Sequence, residues 1–344
     1  MHEAIPTKFF VRYANYMNRV GCIRGKIILV LIGVVALCIS ALGQTTTKGW
    51  NSKGIDLASE DKYDDAIQAF DKAIELNSSY TDAWDYKGQV LLIQGKYNEA
   101  IKCFDRAIEL NSSYAPAWND KGFFLYIQGK YGEAIKCFDK AIELNRSSPE
   151  RAWNNKGIVL EAQGKYDEAI QAFGRAIELN SSYTEAWNDK GAAQDDMGKY
   201  EEAIKSYDKA IELNPLEESA WNNKGEALKK LSKYEEAIKA YDKAIEIDPQ
   251  LAKTWSNKGD VLFSLSKYDE AILAYDNATE IDPQLVVAWN NKGTIFGLQG
   301  KYEESIKSFD KVIQLMPDNA VAWNNKGVAL TWSHYRRQCS LRQG

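Results

Sequence analysis

The chain has 344 residues, 45 % of them hydrophobic, and 43 Lys+Arg against 48 Asp+Glu give a formal charge of −5. That charge is uneven: residues 1–26 carry +4 and Arg336, Arg337 and Arg342 add +3 near the end, so the body between carries −12. An acidic body repels phosphate backbones, which argues against nucleic acid as a partner.

The two histidines, His2 and His334, stand outside the regular body. Histidine-dependent triads, general bases and metal sites are therefore not expected there. No GxGxxG or GxxxxGKS/T loop occurs either, so no nucleotide cofactor is implied. Carboxylates are plentiful but recur at fixed positions, as a solvated face does. No cofactor, metal or small-molecule substrate is expected, and the chain does not read as an enzyme.

Residues 1–26 form a basic segment, with Phe9, Phe10, Tyr13 and Tyr16 suited to a membrane interface. From Ile27 to Thr47 no residue is charged. As a helix this stretch would reach about 31 Å, close to the hydrocarbon thickness of a bilayer. With the basic residues ahead of it, the positive-inside rule places Met1–Lys26 in the cytoplasm and the rest outside. Cleavage as a signal peptide near Gly43, giving a secreted chain, is the alternative. Cys22 and Cys38 lie in or beside this segment.

Beyond it, tryptophan recurs at 50, 84, 118, 153, 187, 221, 255, 289 and 323. The spacing is 34 throughout, except for 35 between Trp118 and Trp153. Four residues after each Trp stands Gly, from Gly54 to Gly327. Seven after stands Leu or Phe, except at Gln194, which weakens its repeat. Thirteen after comes Tyr, sixteen after Ala (once Ser305), and twenty after Phe or Tyr. Small residues on facing helices let two backbones approach, while the aromatics fill the seam between one repeat and the next. Pro215, Pro249, Pro283 and Pro317 end the second helix of later repeats. In earlier copies NSS turns do so, with Asn tolerating a left-handed backbone. Cys103 and Cys137 occupy one repeat position as small packing residues, too far apart to bridge. Cys339 lies in the tail.

A 34-residue period with these marks resembles the tetratricopeptide repeat family, and AWNNKGEALKKLSKYEEAIKAYDKAIEIDP, Ala220–Pro249, shows it best. The resemblance implies an all-α fold, a right-handed superhelical solenoid of helix-turn-helix repeats over residues 48–335, behind one N-terminal hydrophobic helix at 27–47. About eight and a half repeats are predicted, followed by a basic tail at 336–344. Two features depart from the pattern. Lys stands three after every Trp, where the family commonly has an aliphatic residue. The ninth copy has only its first helix, so the end of the stack frays or docks on something.

In that family the first helices line a concave groove. At 100° per residue, the position two before Trp and positions one, two, five, eight and nine after it point away from the Gly and Leu side, so they are the candidate groove positions. At the first two stand Asn119, Asn154, Asn155, Asn188, Asn222, Asn223, Asn257, Asn290, Asn291, Asn324 and Asn325. This resembles the asparagine ladder in the repeats of O-linked N-acetylglucosamine transferase. An amide offers donor and acceptor together, which suits a peptide backbone; a neutral residue copied by duplication gives the same pattern. Phe123 and Tyr126 suggest an apolar floor, and Glu226 and Asp260 an acidic one.

The resemblance thus implies a protein–protein interaction scaffold, tethered at the membrane, that binds an extended peptide or partner helix in its groove. A structural self-associating assembly is one alternative. The partner-recognition subunit of an enzyme acting in trans is another. Asn77, Asn111, Asn145, Asn180 and Asn277 head Asn-X-Ser/Thr sequons, open to glycosylation if the repeats are exported.

Overall fold

The computed structural model describes residues 46–145 and 148–343. The expected membrane segment lies, up to residue 45, outside the described residues, as do Cys22 and Cys38. Among the described residues there are seventeen helices and no strand, and none of the helices is long and apolar enough to cross a membrane. They fall into two units that divide between Arg146 and Ser147, inside the one stretch where the tryptophan spacing is irregular.

The first unit holds α1 (Thr47–Ser59), α2 (Tyr63–Leu76), α3 (Thr81–Ile93), α4 (Tyr97–Leu110), α5 (Ala115–Ile127) and α6 (Tyr131–Leu144). The second opens with α7 (Glu150–Ala162), α8 (Tyr166–Leu179), α9 (Thr184–Asp196), α10 (Tyr200–Leu213), α11 (Glu218–Lys230) and α12 (Tyr234–Ile247). It continues with α13 (Ala252–Ser264), α14 (Tyr268–Ile281), α15 (Val286–Leu298), α16 (Tyr302–Leu315) and α17 (Ala320–Gln343). Odd-numbered helices carry the tryptophan and are called A; even-numbered ones are B. Each A packs on the B that follows it, and each B packs on the next A of its unit.

Within a repeat the lock is a ring over a glycine. A Cβ built on Gly54 would lie 2.5 Å from Phe70 Cε1, and one on Gly225 would lie 2.6 Å from Tyr241 Cε1. The glycine therefore makes room for an aromatic side chain of helix B, rather than for close approach of two backbones as the sequence suggests. The ring also reaches the seam: Phe70 stacks on Tyr86 of the next repeat, with centroids 6.1 Å apart. Ala66, Ala100, Ala134, Ala169, Ala203, Ala237 and Ala271, sixteen after the Trp, are fully buried. At Ser305 the hydroxyl donates to the Gly293 carbonyl at 2.8 Å instead.

Each A-to-B turn closes through one residue in the left-handed region, which the sequence reading did not single out. Gly95, Gly129, Gly164, Gly198 and Gly300 hold it with φ between 70° and 74°, and Asp61, Ser232 and Ser266 with φ 58°. Lys96 N–H then reaches back to the Leu91 carbonyl at 2.9 Å, closing the helix end. The B-to-A turns work differently from expectation. Asn77 is extended (φ −150°), not left-handed. Its side-chain oxygen accepts from Ser79 N–H at 3.0 Å, a local turn of the Asx kind. The next tryptophan then pins the loop: Trp84 Nε1 donates to the Ser78 carbonyl at 3.1 Å, and Trp221 Nε1 to the Pro215 carbonyl at 3.1 Å.

The Lys after each Trp has a physical role. Except at Lys87, its ammonium lies over the Trp ring, at 4.9 Å for Lys292 and 5.4 Å for Lys224. It also pairs with an Asp of the preceding B helix: Lys87–Asp71 at 2.5 Å, and Lys121–Asp105, Lys224–Asp208, Lys258–Asp242 and Lys326–Asp310 at 2.6 Å, with Lys292–Asp276 likewise. An aliphatic residue would serve a dry seam; here it is bridged by a half-buried ion pair. In the α8–α9 seam the Asp is replaced by Gly174, and Lys190 keeps only its ring, at 5.4 Å from Trp187.

Gln194 is also matched: Ser206 Oγ donates to its Oε1 at 2.6 Å, so the polar side chain has a partner at the interface of α9 and α10. Cys103 and Cys137 are buried and free, and burial pushes the Cys103 thiol up to about 11.

The last helix, α17, runs 24 residues where the other A helices have 13. Its distal half docks back on the turn before α16. Arg336 Nη1 donates to the Gly300 carbonyl at 2.8 Å, and Arg337 pairs with Glu303 at 2.5 Å. With no B helix over it, Leu330 is 48 % exposed and Trp332 52 %. A cavity of about 300 Å³ opens between Leu298, Tyr302, Phe309, Val328 and Trp332.

Two outcomes follow for stability. Gly191→Ala is expected to lower the melting temperature, because the methyl would lie 2.5 Å from Tyr207 Cε1 and overpacking costs about 1–3 kcal/mol. Gly327→Ala has nothing within 4 Å to meet and should instead gain roughly 0.5–1 kcal/mol of helix propensity. Thermal melts showing the same sign for both would contradict this packing. Gly174→Asp is expected to supply the missing partner of Lys190 and to stabilise by about 1 kcal/mol, from a modest ion pair plus improved propensity. Gly174→Asn, which lacks the charge, should recover less; equal gains at low salt would show that no pair forms.

Candidate functional site

In each unit every A helix also touches the next A helix, whereas consecutive B helices do not touch to the same extent. The A side is therefore the inner side of each unit, and successive A helices lie close enough for their side chains to bond to one another.

They do so through the asparagines and their neighbours. In the first unit, Gln89 Nε2 of α3 donates to Asp120 Oδ2 of α5 at 2.6 Å, and Asn119 Nδ2 donates to Asp120 Oδ1 at 2.9 Å. In the second, Asn154 of α7 donates to Asp189 Oδ2 of α9 at 2.9 Å, and Asn223 of α11 donates to Asn188 of α9 at 3.2 Å. Thr254 Oγ1 of α13 donates to Asn222 at 3.0 Å, and Asn257 Nδ2 to Glu226 Oε1 at 2.7 Å. Asp260 accepts from Asn291 at 2.9 Å and from the Tyr275 hydroxyl at 2.7 Å. The remaining amides bond along one helix, Asn290 to Asn291 at 3.4 Å and Asn324 to Asn325 at 3.5 Å. Asn155 is half-buried.

This alters one energetic expectation. Read from sequence, Asn223, Asn257 and Asn291 are poor helix formers whose replacement by Ala would leave stability unchanged or higher. In the structure each is the donor of a bond to the preceding repeat, so truncation leaves a partly buried acceptor unpaired. Glu226 and Asp260, expected as an acidic floor, are the acceptors of those bonds. Lys229 stands 3.9 Å from Asp260 and moderates its charge further.

Phe123 lies on the inner side of α5, 37 % exposed, with its ring 6.1 Å from Tyr126. Tyr126 in turn lies 6.0 Å from Tyr131. Ile93 and Ile127 are exposed nearby on α3 and α5. The first unit thus offers an apolar inner patch.

The second unit offers an acidic one that the sequence reading passed over. Glu161 of α7 and Asp189 and Asp196 of α9 stand eight, two and nine residues after their tryptophans, all inner positions. Burial, followed by the charges of Asp189 and Asp196, raises the Glu161 carboxyl to about 7. Burial likewise raises Asp189 to about 6, although amides of Asn154 and Asn188 hold it down in part. Noting charged types at the eighth and ninth positions as well as the first two would have found them.

Antiparallel helix pairs stacked through an A-side ladder define a solenoid of helix-turn-helix repeats. The chain belongs to the tetratricopeptide repeat family. Models described as tetratricopeptide repeat match residues 49–80, 82–114, 113–182, 184–215, 219–251, 240–273 and 286–319, and one described as TPR repeat matches 259–300. No curated protein matches the sequence. Among solved structures, a chain of the APC/C hetero-tetramer Cut9–Hcn1 aligns with a TM-score of 0.59 at 18 % identity, covering 84 % of this chain. This chain spans 56 % of that one, and the likeness is one of fold. MamA aligns at 0.45 and 26 % identity over 48 % of this chain and 96 % of its own. YrrB, described as a TPR protein with an unusual peptide-binding site, aligns at 0.42 and 28 % over 55 % of this chain and 96 % of its own.

Glu161 and Asp189 bind a proton more tightly folded than unfolded. Each therefore adds stability that is complete below the ordinary carboxyl pKa and is lost as pH rises through about 6 to 7. Glu161→Gln is expected to raise the melting temperature at pH 8 and to raise it much less at pH 5. A gain that does not depend on pH would show that the Glu161 carboxyl is not held near 7.

Proposed function

We propose that this chain is a protein–protein interaction scaffold, not an enzyme, that holds an extended peptide or a partner helix against its A-helix side. The observation that carries the reading is the inner face itself. In the first unit it exposes the Phe123 ring and the aliphatic Ile127, and in the second it turns carboxylates and amides inward, groups suited to side-chain and backbone contacts rather than to bond chemistry. Ile27–Thr47, uncharged and preceded by a basic segment, tethers the scaffold at the membrane, with the repeats outside and Met1–Lys26 in the cytoplasm.

A photo-crosslinking residue at position 123, or at 192 on α9, is expected to trap a protein in cells. The same residue at 201, on the B side, should not. Equal trapping from both sides would overturn the reading, and recovery of the full-length chain free of membranes without detergent would overturn the tether.

One observation favours a second reading, self-association through the stack end. On α17 the side that a B helix covers elsewhere is bare at Gly327, Leu330 and Trp332. Sedimentation that shifts with concentration, and stops shifting in Trp332→Glu, would select that reading.

A further inference from the structure

The inner side of α7 and α9 gathers carboxylates without a cation. Glu161 projects from α7, and Asp189 and Asp196 from α9; among the described residues none of the three has an ion-pair partner. The lysine beside them on α11, Lys230, is engaged by Asp195. The hydroxyl of Tyr207, reaching in from α10, is surrounded by carboxylates: after burial, the charges of Asp195, Glu226, Glu161 and Asp196 all raise it.

A second observation is independent of charge. Asn154 is 3 % exposed, and its Nδ2 is fixed on Asp189, yet its Oδ1 is buried with no donor. A buried acceptor left unpaired costs about 1–3 kcal/mol. Beside Glu161 and Asp196, which have no hydrogen-bond or ion-pair partner among the described residues, it is an acceptor that the chain itself does not satisfy. A metal ion does not fit, since among the described residues no group of three or more His, Cys, Asp or Glu is placed to hold one. A longer cation with several N–H groups does fit carboxylates spread over two helices.

We propose that this stretch of the second unit receives a Lys or Arg side chain of the bound peptide, between Glu161, Asp189 and Asp196. The inference rests on the peptide-binding reading and adds its specificity. The cation satisfies the acceptors and returns both raised carboxyls to their ionised form. An acidic peptide is rejected at the same place by like charge.

The test is selection of a random peptide display library on the immobilised full-length chain, followed by titration of synthetic binders. Three forms are compared: the native chain, E161Q/D196N, and E201Q/E202Q, which removes two exposed carboxylates from α10. Binders are expected to be enriched in Lys or Arg and to weaken by about tenfold or more on E161Q/D196N, but not on E201Q/E202Q. Replacing the peptide's basic residue by Met should cause the same loss on the native chain and little further loss on E161Q/D196N. Because Glu161→Gln relieves a half-buried like charge, the weakened variant should melt no lower than the native chain at pH 8. Binders without basic enrichment, or basic binders weakened equally by both variants, would overturn this inference while leaving the groove reading intact. A library that yields no binder on the A side would overturn both.

Discussion

The stack depends on an aromatic ring seated where a glycine has no side chain. From Gly54 under Phe70 to Gly259 under Tyr275, the ring of helix B occupies the space a Cβ would need on helix A. Because an α-helix presents one face every 3.6 residues, this contact fixes the rotation of each helix about its own axis. The leucines then face the core, and the positions on the other side of helix A face inward. A short side chain at the ring position would leave a cavity, and a larger one at the glycine would part the pair. Every other feature of the repeat is placed by this fit.

Between repeats the structure uses polar contacts more than a purely apolar solenoid would. One edge of the seam carries the Lys–Asp pair under a tryptophan ring. The inner edge carries the ladder of amides, carboxylates and tyrosine hydroxyls. Directional bonds of this kind specify how far each repeat is rotated from the last, which dispersion contacts between apolar side chains do weakly. The same side chains line the surface offered to a ligand. Recognition and stacking therefore draw on one set of groups, and where the stack satisfies an amide internally, less of it remains for a partner. The stack also leaves some acceptors unsatisfied, among them the Oδ1 atoms of Asn51, Asn154 and Asn290 at one repeat position.

Much of this was legible in the residues. The period of the tryptophans, the glycine four later and the aromatic twenty later establish helix pairs and their facing sides, because each signal lies within one repeat. The division at residue 146 was not read from the sequence, which suggests one solenoid over 48–335, although it falls where the tryptophan spacing is irregular. Other features needed the structure. The lysine three after Trp looked like an anomaly until its Asp, sixteen residues earlier on another helix, came into view. Asn77 was read as left-handed, but its side chain takes the next amide while its backbone stays extended. The left-handed residue belongs instead to the other turn, at Gly95 and its equivalents.

The sequence by itself determined the secondary structure, the pairing of helices within a repeat and the family, since all follow from short-range periodicity and side-chain size. Only the tertiary structure decided which inner residues bond across the seam, why Gln194 is tolerated opposite Ser206, and which inner carboxylates lack a cation. Those outcomes turn on the separation and rotation of successive A helices. That geometry arises from contacts roughly thirty residues apart, such as Asn257 with Glu226 or Asn291 with Asp260. No pattern within a single repeat encodes it, because the same asparagine donates to a carboxylate in one repeat and to another amide in the next.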